Sequence, residues 1–193
     1  MRKLVFLLFF AGLMINGFCQ NPQHQDPVYM RTDTCWKGFF PHGDQYVEYL
    51  LTGSSRLQDP YHVLLKPGFG LMITFADKSN FTGNRPMLEA HKNWEVDYWK
   101  SQSKTINVKD CSDLCKGVDN IMATELEVTG NSNTTYKTCL VAVAGKDGVY
   151  VFAFSSPSEL DRDLIARFVK SIKVIDKPLN IVEERNKLMN DHR

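Results

Sequence analysis

After residue 15 the chain contains no second long apolar run, so nothing beyond its N-terminus reads as a membrane-spanning helix. Neither sign of charge dominates: 23 Lys and Arg face 22 Asp and Glu. Without a Lys/Arg stripe there is no electrostatic footprint for nucleic acid. The chain has no Gly-x-Ser-x-Gly, no His-Glu-x-x-His and no glycine-rich phosphate loop, which sets aside the hydrolases and nucleotide enzymes that carry those motifs. Its five histidines are His24, His42, His62, His91 and His192, and no two stand at an i, i+4 ligand spacing. No metal site, no cofactor and no catalytic constellation are therefore expected. Internal repeats and long low-complexity stretches are also missing.

What is present begins at the N-terminus. Arg2 and Lys3 precede an almost unbroken apolar run from Leu4 to Ile15, and Gly17 and Cys19 are the small residues that suit a signal-peptidase site. This three-part pattern predicts a secretory signal peptide over residues 1–19 and a mature chain starting at Gln20, placed in the periplasm or outside the cell. Cys19 also stands where a lipid-modified cysteine would stand, which gives an envelope-anchored lipoprotein as an alternative, although Phe18 is bulkier than such sites want. Removing residues 1–19 takes away Arg2 and Lys3 and leaves 21 basic against 22 acidic side chains.

Four cysteines then remain, Cys35, Cys111, Cys115 and Cys139, and in an oxidising compartment an even count reads first as two disulfides. Four cysteines allow three pairings. The preferred one joins Cys111 to Cys115 across a polar turn and Cys35 to Cys139 from an N-terminal arm to a central strand.

Residues 20–45 open with a Gln-, Asn-, Asp- and Pro-rich stretch and read as an N-terminal arm. Strands are expected at Tyr46 to Leu51, Tyr61 to Leu65 and Leu71 to Phe75, with Lys66-Pro67-Gly68 as turn chemistry. Pro86 opens a helix running to about residue 101, whose stripe is Met87, Leu88, His91, Trp94, Tyr98 and Trp99. Glu95 and Asp97 fall on its solvated surface. Lys109 to Asn120 is a polar connection. Three strands follow, Ile121 to Val128, Tyr136 to Val143 and Val149 to Phe154, and their tight links make them antiparallel neighbours. In Val149-Tyr150-Val151-Phe152-Ala153-Phe154 both alternating faces are apolar, so cover is expected on both sides. Ser156, Pro157 and Glu159 form a capping box for a second helix reaching Ile172. A short strand at Lys173 to Ile175 precedes a polar tail over 177–193.

The stretch Tyr150-Val151-Phe152-Ala153-Phe154-Ser155, followed by Phe168-Val169-Lys170-Ser171-Ile172-Lys173-Val174, resembles the end of PsbP/DcrB-like domains. Lys66-Pro67-Gly68-Phe69 looks like that family's Pro-x-x-Trp region, with Phe69 in place of Trp. The resemblance covers roughly residues 46–176. It implies an α+β domain with an antiparallel sheet covered by helices on both faces, an α/β/α sandwich, and a non-catalytic binding or envelope role; it carries over no functional residue.

The candidate ligand residues are His91, Trp94 and Tyr98, and core packing is the commoner fate of such a stripe. A thiol-redox enzyme using Cys111 and Cys115 is a further alternative, weakened by a spacing one residue longer than Cys-x-x-Cys and by the missing βαβ unit. Asn80-Phe81-Thr82 and Asn133-Thr134-Thr135 are N-glycosylation sequons. The leading expectation is an exported binding or structural module whose partner, protein or small molecule, the sequence does not name.

Overall fold

Strand β10, Gly148–Ser156, is buried along its whole length and organises the fold. A computed structural model of the chain describes residues 25–81, 86–130 and 133–190. In chain order the strands are β1 (Val28–Arg31), β2 (Cys35–His42), β3 (Gln45–Thr52), β4 (Arg56–Leu57), β5 (His62–Lys66) and β6 (Phe69–Asp77). Helix α1 (Met87–Gln102) leads to β7 (Thr105–Asp110), β8 (Ile121–Thr129), β9 (Thr135–Ala144) and β10. Helix α2 (Arg162–Ser171), β11 (Lys173–Ile175) and α3 (Ile181–Asn190) complete the chain.

β10 pairs antiparallel with β9 on one side and with β6 on the other, placing Phe152 opposite Val141 and Ile73. The full sheet has the order β4-β5-β6-β10-β9-β8-β7. Because side chains alternate along a strand, Val149, Val151 and Ala153 point to one face and Tyr150, Phe152 and Phe154 to the other. On the first face they pack with Met72, Leu126, Leu140 and Ala142 beneath α1, through Leu88, Val96 and Trp99.

The second face corrects the expected architecture. It is covered by a second antiparallel sheet, β1-β2-β3-β11, together with α2, so the fold is two packed sheets rather than one sheet between helices. Tyr49 of β3 meets Phe152 edge-on at 5.0 Å, and Phe40 of β2 meets Tyr150 at 5.3 Å. Phe168 of α2 fills the remaining space, 5.5 Å from Tyr49 and 5.0 Å from both Phe152 and Phe154. Residues 28–42, assigned by sequence to the arm, thus form β1 and β2 and supply core rings. Their polar flanks and Pro41 hide a period-two pattern, yet Pro41 fits this strand because the pairing with β1 ends at Phe39, leaving β2 paired only with β3 there. Gly43, at φ +60°, opens the two-residue turn between β2 and β3, the first-position glycine that II′ hairpins use.

Three local expectations also change. The capping box at Ser156 does not form, because β10 continues to Ser156, opposite Lys137 of β9. α2 starts six residues later, where Asp161 accepts from the Leu164 N–H at 3.0 Å. Part of the polar connection 109–120 extends the edge strand β7 to Asp110 and then makes a 3-10 turn at Ser112–Cys115. The tail carries α3, which sits against the outer face of the small sheet: the Tyr46 hydroxyl donates to Glu184 Oε1 at 3.1 Å, and Lys37 Nζ lies 3.9 Å from Glu184 Oε2. Among the described residues no helix is long and apolar enough to cross a membrane.

Candidate functional site

Three of the four expected cysteines lie on the inter-sheet side of the large sheet, between its β7 edge and β9. The Cys111 N–H donates to the Ala123 carbonyl at 3.1 Å, which prolongs the β7–β8 ladder by one residue. The 3-10 turn then folds Leu114 and Cys115 onto the inter-sheet core, and Cys139 enters the same core from β9, opposite Glu125 of β8. Cys111, Cys115 and Cys139 are only 0%, 8% and 1% exposed. Burial, with the neighbouring Asp113 and Cys111, pushes the Cys115 thiol up to about 11. Burial likewise pushes the Cys139 thiol far above its ordinary range. Neither is a ready nucleophile at neutral pH.

One cation anchors the Cys111 end of this cluster to two carboxylates. Arg162, at the start of α2, places Nη1 3.4 Å from Cys111 Sγ and 3.2 Å from Glu125 Oε2. Its Nη2 grips both carboxylate oxygens of Asp113, at 3.0 and 2.8 Å. Contacts to Cys111 and Asp113 hold the guanidinium firmly protonated. The sequence reading missed Arg162, Glu125 and Asp113. A signal was available: Glu125 shares a strand face with Ala123, and a carboxylate on an inward face needs a cationic partner.

Cys35 stands apart from the other three. On β2 the inward residues are Trp36 and Phe40, so by alternation Cys35 points with Lys37 and Phe39 to the opposite face, the side on which α3 lies. Its thiol contacts the Thr32 hydroxyl at 3.1 Å. The four cysteines are present as thiols. Cys19 lies outside the described residues.

The expected stripe of α1 is rotated. His91 is its one fully buried side chain, at 1% exposed, whereas Trp94 is 40% exposed and stacks outward with Tyr98 at 6.5 Å. Glu95 and Val96 take the inward positions, so Glu95, expected on the solvated surface, keeps only 14% of its side-chain exposure. His91 Nε2 has no hydrogen-bond partner and lies 3.6 Å from Glu95 Oε1. Burial drives the imidazole down to about 4 and the Glu95 carboxyl up to about 7. Both groups are therefore largely uncharged around pH 6.

Beside His91 a shallow recess open to solvent, with a cavity volume of about 10 Å³, is lined by Lys92, Val96, Met122, Thr124, Leu140 and Ala142. That is room for about one water, far below the roughly 300–1,000 Å³ of sites for drug-sized ligands. His91 thus faces it, while Trp94, Tyr98 and Phe81 form an outer shelf whose Phe81 and Trp94 rings also touch the His91 ring. Among the described residues no group of three His, Cys, Asp or Glu side chains is placed to hold a metal ion. Both sequon asparagines, Asn80 and Asn133, are exposed. Compared with known proteins, the chain matches no family model, no curated protein and no solved structure.

Proposed function

We propose that the chain is an exported, non-catalytic binding or structural module of the cell envelope or secreted space. One observation carries the non-catalytic part: the thiols of the cysteine cluster are packed against protein instead of lining a cleft. Cys139 and Cys115 are buried with raised thiol pKa values, and His91 is buried with a lowered one. A general base or nucleophile has to reach its substrate, and the two thiols, packed into the inter-sheet core, have no such access. The exposed shelf of Trp94 and Tyr98 is the surface best suited to contact a partner, since large rings bring contact area at little entropic cost. The exported part rests on the n-region, apolar run and small residues of positions 1–19.

Two measurements test this reading. The intact mass of protein recovered from outside the cytoplasm is expected to correspond to a chain starting at Gln20; recovery of cytosolic protein retaining Met1 would overturn export. A lipid adduct on Cys19 would replace free export by envelope anchoring. In an insulin-reduction assay the purified protein is expected to give no acceleration. A rate that disappears when Cys111 and Cys115 are replaced by serine would establish a thiol enzyme instead.

A further inference from the structure

We propose that the open edge of β7 is a self-recognition surface: a second copy of the chain adds its own β7 antiparallel, about a two-fold axis at Asn107, so that two large sheets become one. The inference goes beyond the binding or structural role proposed above and does not depend on export.

Each sheet has two edges, and three of the four are short: β4 has two residues, β11 three and β1 four. β7 has six, five of them exposed, and among the described strands it pairs with β8 alone. Its register with β8 runs without a bulge, and it holds no proline. An antiparallel strand turns its backbone groups alternately to its two sides. The Cys111 N–H reaches the Ala123 carbonyl of β8, so Lys109, Asn107 and Thr105 also face β8. The N–H and C=O groups of Ile106, Val108 and Asp110 therefore face the open side. A row of such groups is a template for one more strand. Val108, 37% exposed, adds an apolar side chain beside them.

The outward groups restrict where a copy can dock. Ile106, Val108 and Asp110 exchange hydrogen bonds only with their counterparts, which puts the axis on a residue rather than between two. An axis at Val108 opposes Ile106 to Asp110, and an axis at Lys109 sets two like charges against each other. Moving the axis to Ile106 leaves Asp110 without a counterpart. At Asn107 the axis opposes Ile106 to Val108 twice. It also brings Lys104, next to the start of the strand, opposite Asp110 of the copy at both ends, so the charges are complementary. Opposite charges facing across a strand pair stabilise it, and like charges destabilise it. The two-fold closes the pairing on itself, giving a dimer and not a fibre. The far edge of the sheet, two-residue β4, is too short to continue it.

Sedimentation equilibrium of the purified chain, up to roughly 1 mM, is expected to show a reversible monomer–dimer equilibrium, weak because one strand pair is a small interface. Val108→Pro removes an outward N–H and takes nothing from the ladder with β8, so this variant should stay folded and monomeric. Lys104→Glu and Asp110→Lys should each weaken the dimer about tenfold or more, since each sets two like-charge pairs face to face. Asp110 also accepts from the Ser112 N–H at 2.7 Å, so circular dichroism checks the fold of every variant. Mixed in equal amounts, the two charge variants recover opposite charges at both ends and should dimerise as the parent does. A parent chain that stays monomeric throughout, its edge solvated or taken by another segment of its own, would overturn the proposal. So would a dimer that survives in folded Val108→Pro, or one whose strength Lys104→Glu leaves unchanged.

Discussion

His91 Nε2 and Glu95 Oε1 lie 3.6 Å apart on the inward face of α1, over strands that offer Met122, Thr124, Leu140 and Ala142 and no ionisable group at that recess. Their pKa shifts run in opposite directions, and the pH dependence of stability follows from that opposition. His91 falls from 6.5 to about 4, so the unfolded chain binds its proton first and stability is lost as pH drops from 6.5 toward 4. Glu95 rises from 4.5 to about 7, so its contribution is complete below 4.5 and is lost as pH climbs through 7. Between about pH 4.5 and 6.5 the two slopes cancel.

Separating them is the first prediction. Denaturant titrations of the parent chain should show little dependence on this pair between pH 4.5 and 6.5. The His91→Gln variant should lose stability as pH rises from 4.5 to 7, and Glu95→Gln should gain stability from pH 4 to 6.5. Each slope should integrate to about 3–4 kcal/mol at most, at ~1.4 kcal/mol per pKa unit. Parallel curves for the two variants would show that the groups do not titrate from these buried positions.

One ring of α2 touches both sheets. Phe168 touches Tyr49 of the small sheet and Phe152 and Phe154 of the large one. Phe168→Ala should cost about 3–5 kcal/mol in chemical denaturation, the usual range for a buried phenylalanine. Val182→Ala on the exposed side of α3 should stay within about 0.5 kcal/mol. A loss below 1 kcal/mol at Phe168 would mean that the inter-sheet core closes without it.

The start of α2 gives a sharper comparison. Asp161→Ala removes the cap on the Leu164 N–H and the ion pair with Lys66, and should cost about 1 kcal/mol. Glu159→Ala, at the position that sequence alone assigns to a capping box, should change stability by less than about 0.5 kcal/mol. Its carboxylate is exposed and pairs with Lys137. The reverse order would restore the sequence-derived cap.

Helix α3 is fixed largely by Glu184. Burial works to raise this carboxyl, but hydrogen bonds from Lys187 and Tyr46 outweigh it and hold the pKa below its ordinary value. Glu184→Ala leaves the buried Tyr46 hydroxyl without its acceptor and should cost about 1–3 kcal/mol. Limited proteolysis should then cut within residues 177–190 well before the rest of the chain. Glu184→Gln keeps an acceptor oxygen and should be cut more slowly than the alanine variant.

Much of the strand pattern was legible because β8, β9 and β10 are long apolar or alternating runs joined by tight turns, and such runs have few alternatives. β1, β2 and β7 were not legible. β7 is an exposed edge, polar at most positions, and its strand character comes from the ladder that β8 offers it. The Ser156 capping box is a correct local signal overruled by a longer one: pairing with β9 through Ser156 outcompetes the helix start. On α1 the aromatic residues set the expected stripe, but a helix turns as a rigid body. Seating Val96 and Trp99 on the sheet carries Glu95 inward and leaves Trp94 outside.

The amino-acid sequence by itself determined the antiparallel meander, the double burial of β10 and the lack of a recognisable catalytic motif, because these depend on neighbours close along the chain. Tertiary structure alone decided what covers the second face of the sheet, which cysteines share the inter-sheet core, and that Arg162 holds Cys111, Asp113 and Glu125 together. Those outcomes depend on which distant segments compete for the same apolar surface. A local pattern sets the surface a segment must bury, and the rest of the chain settles what buries it.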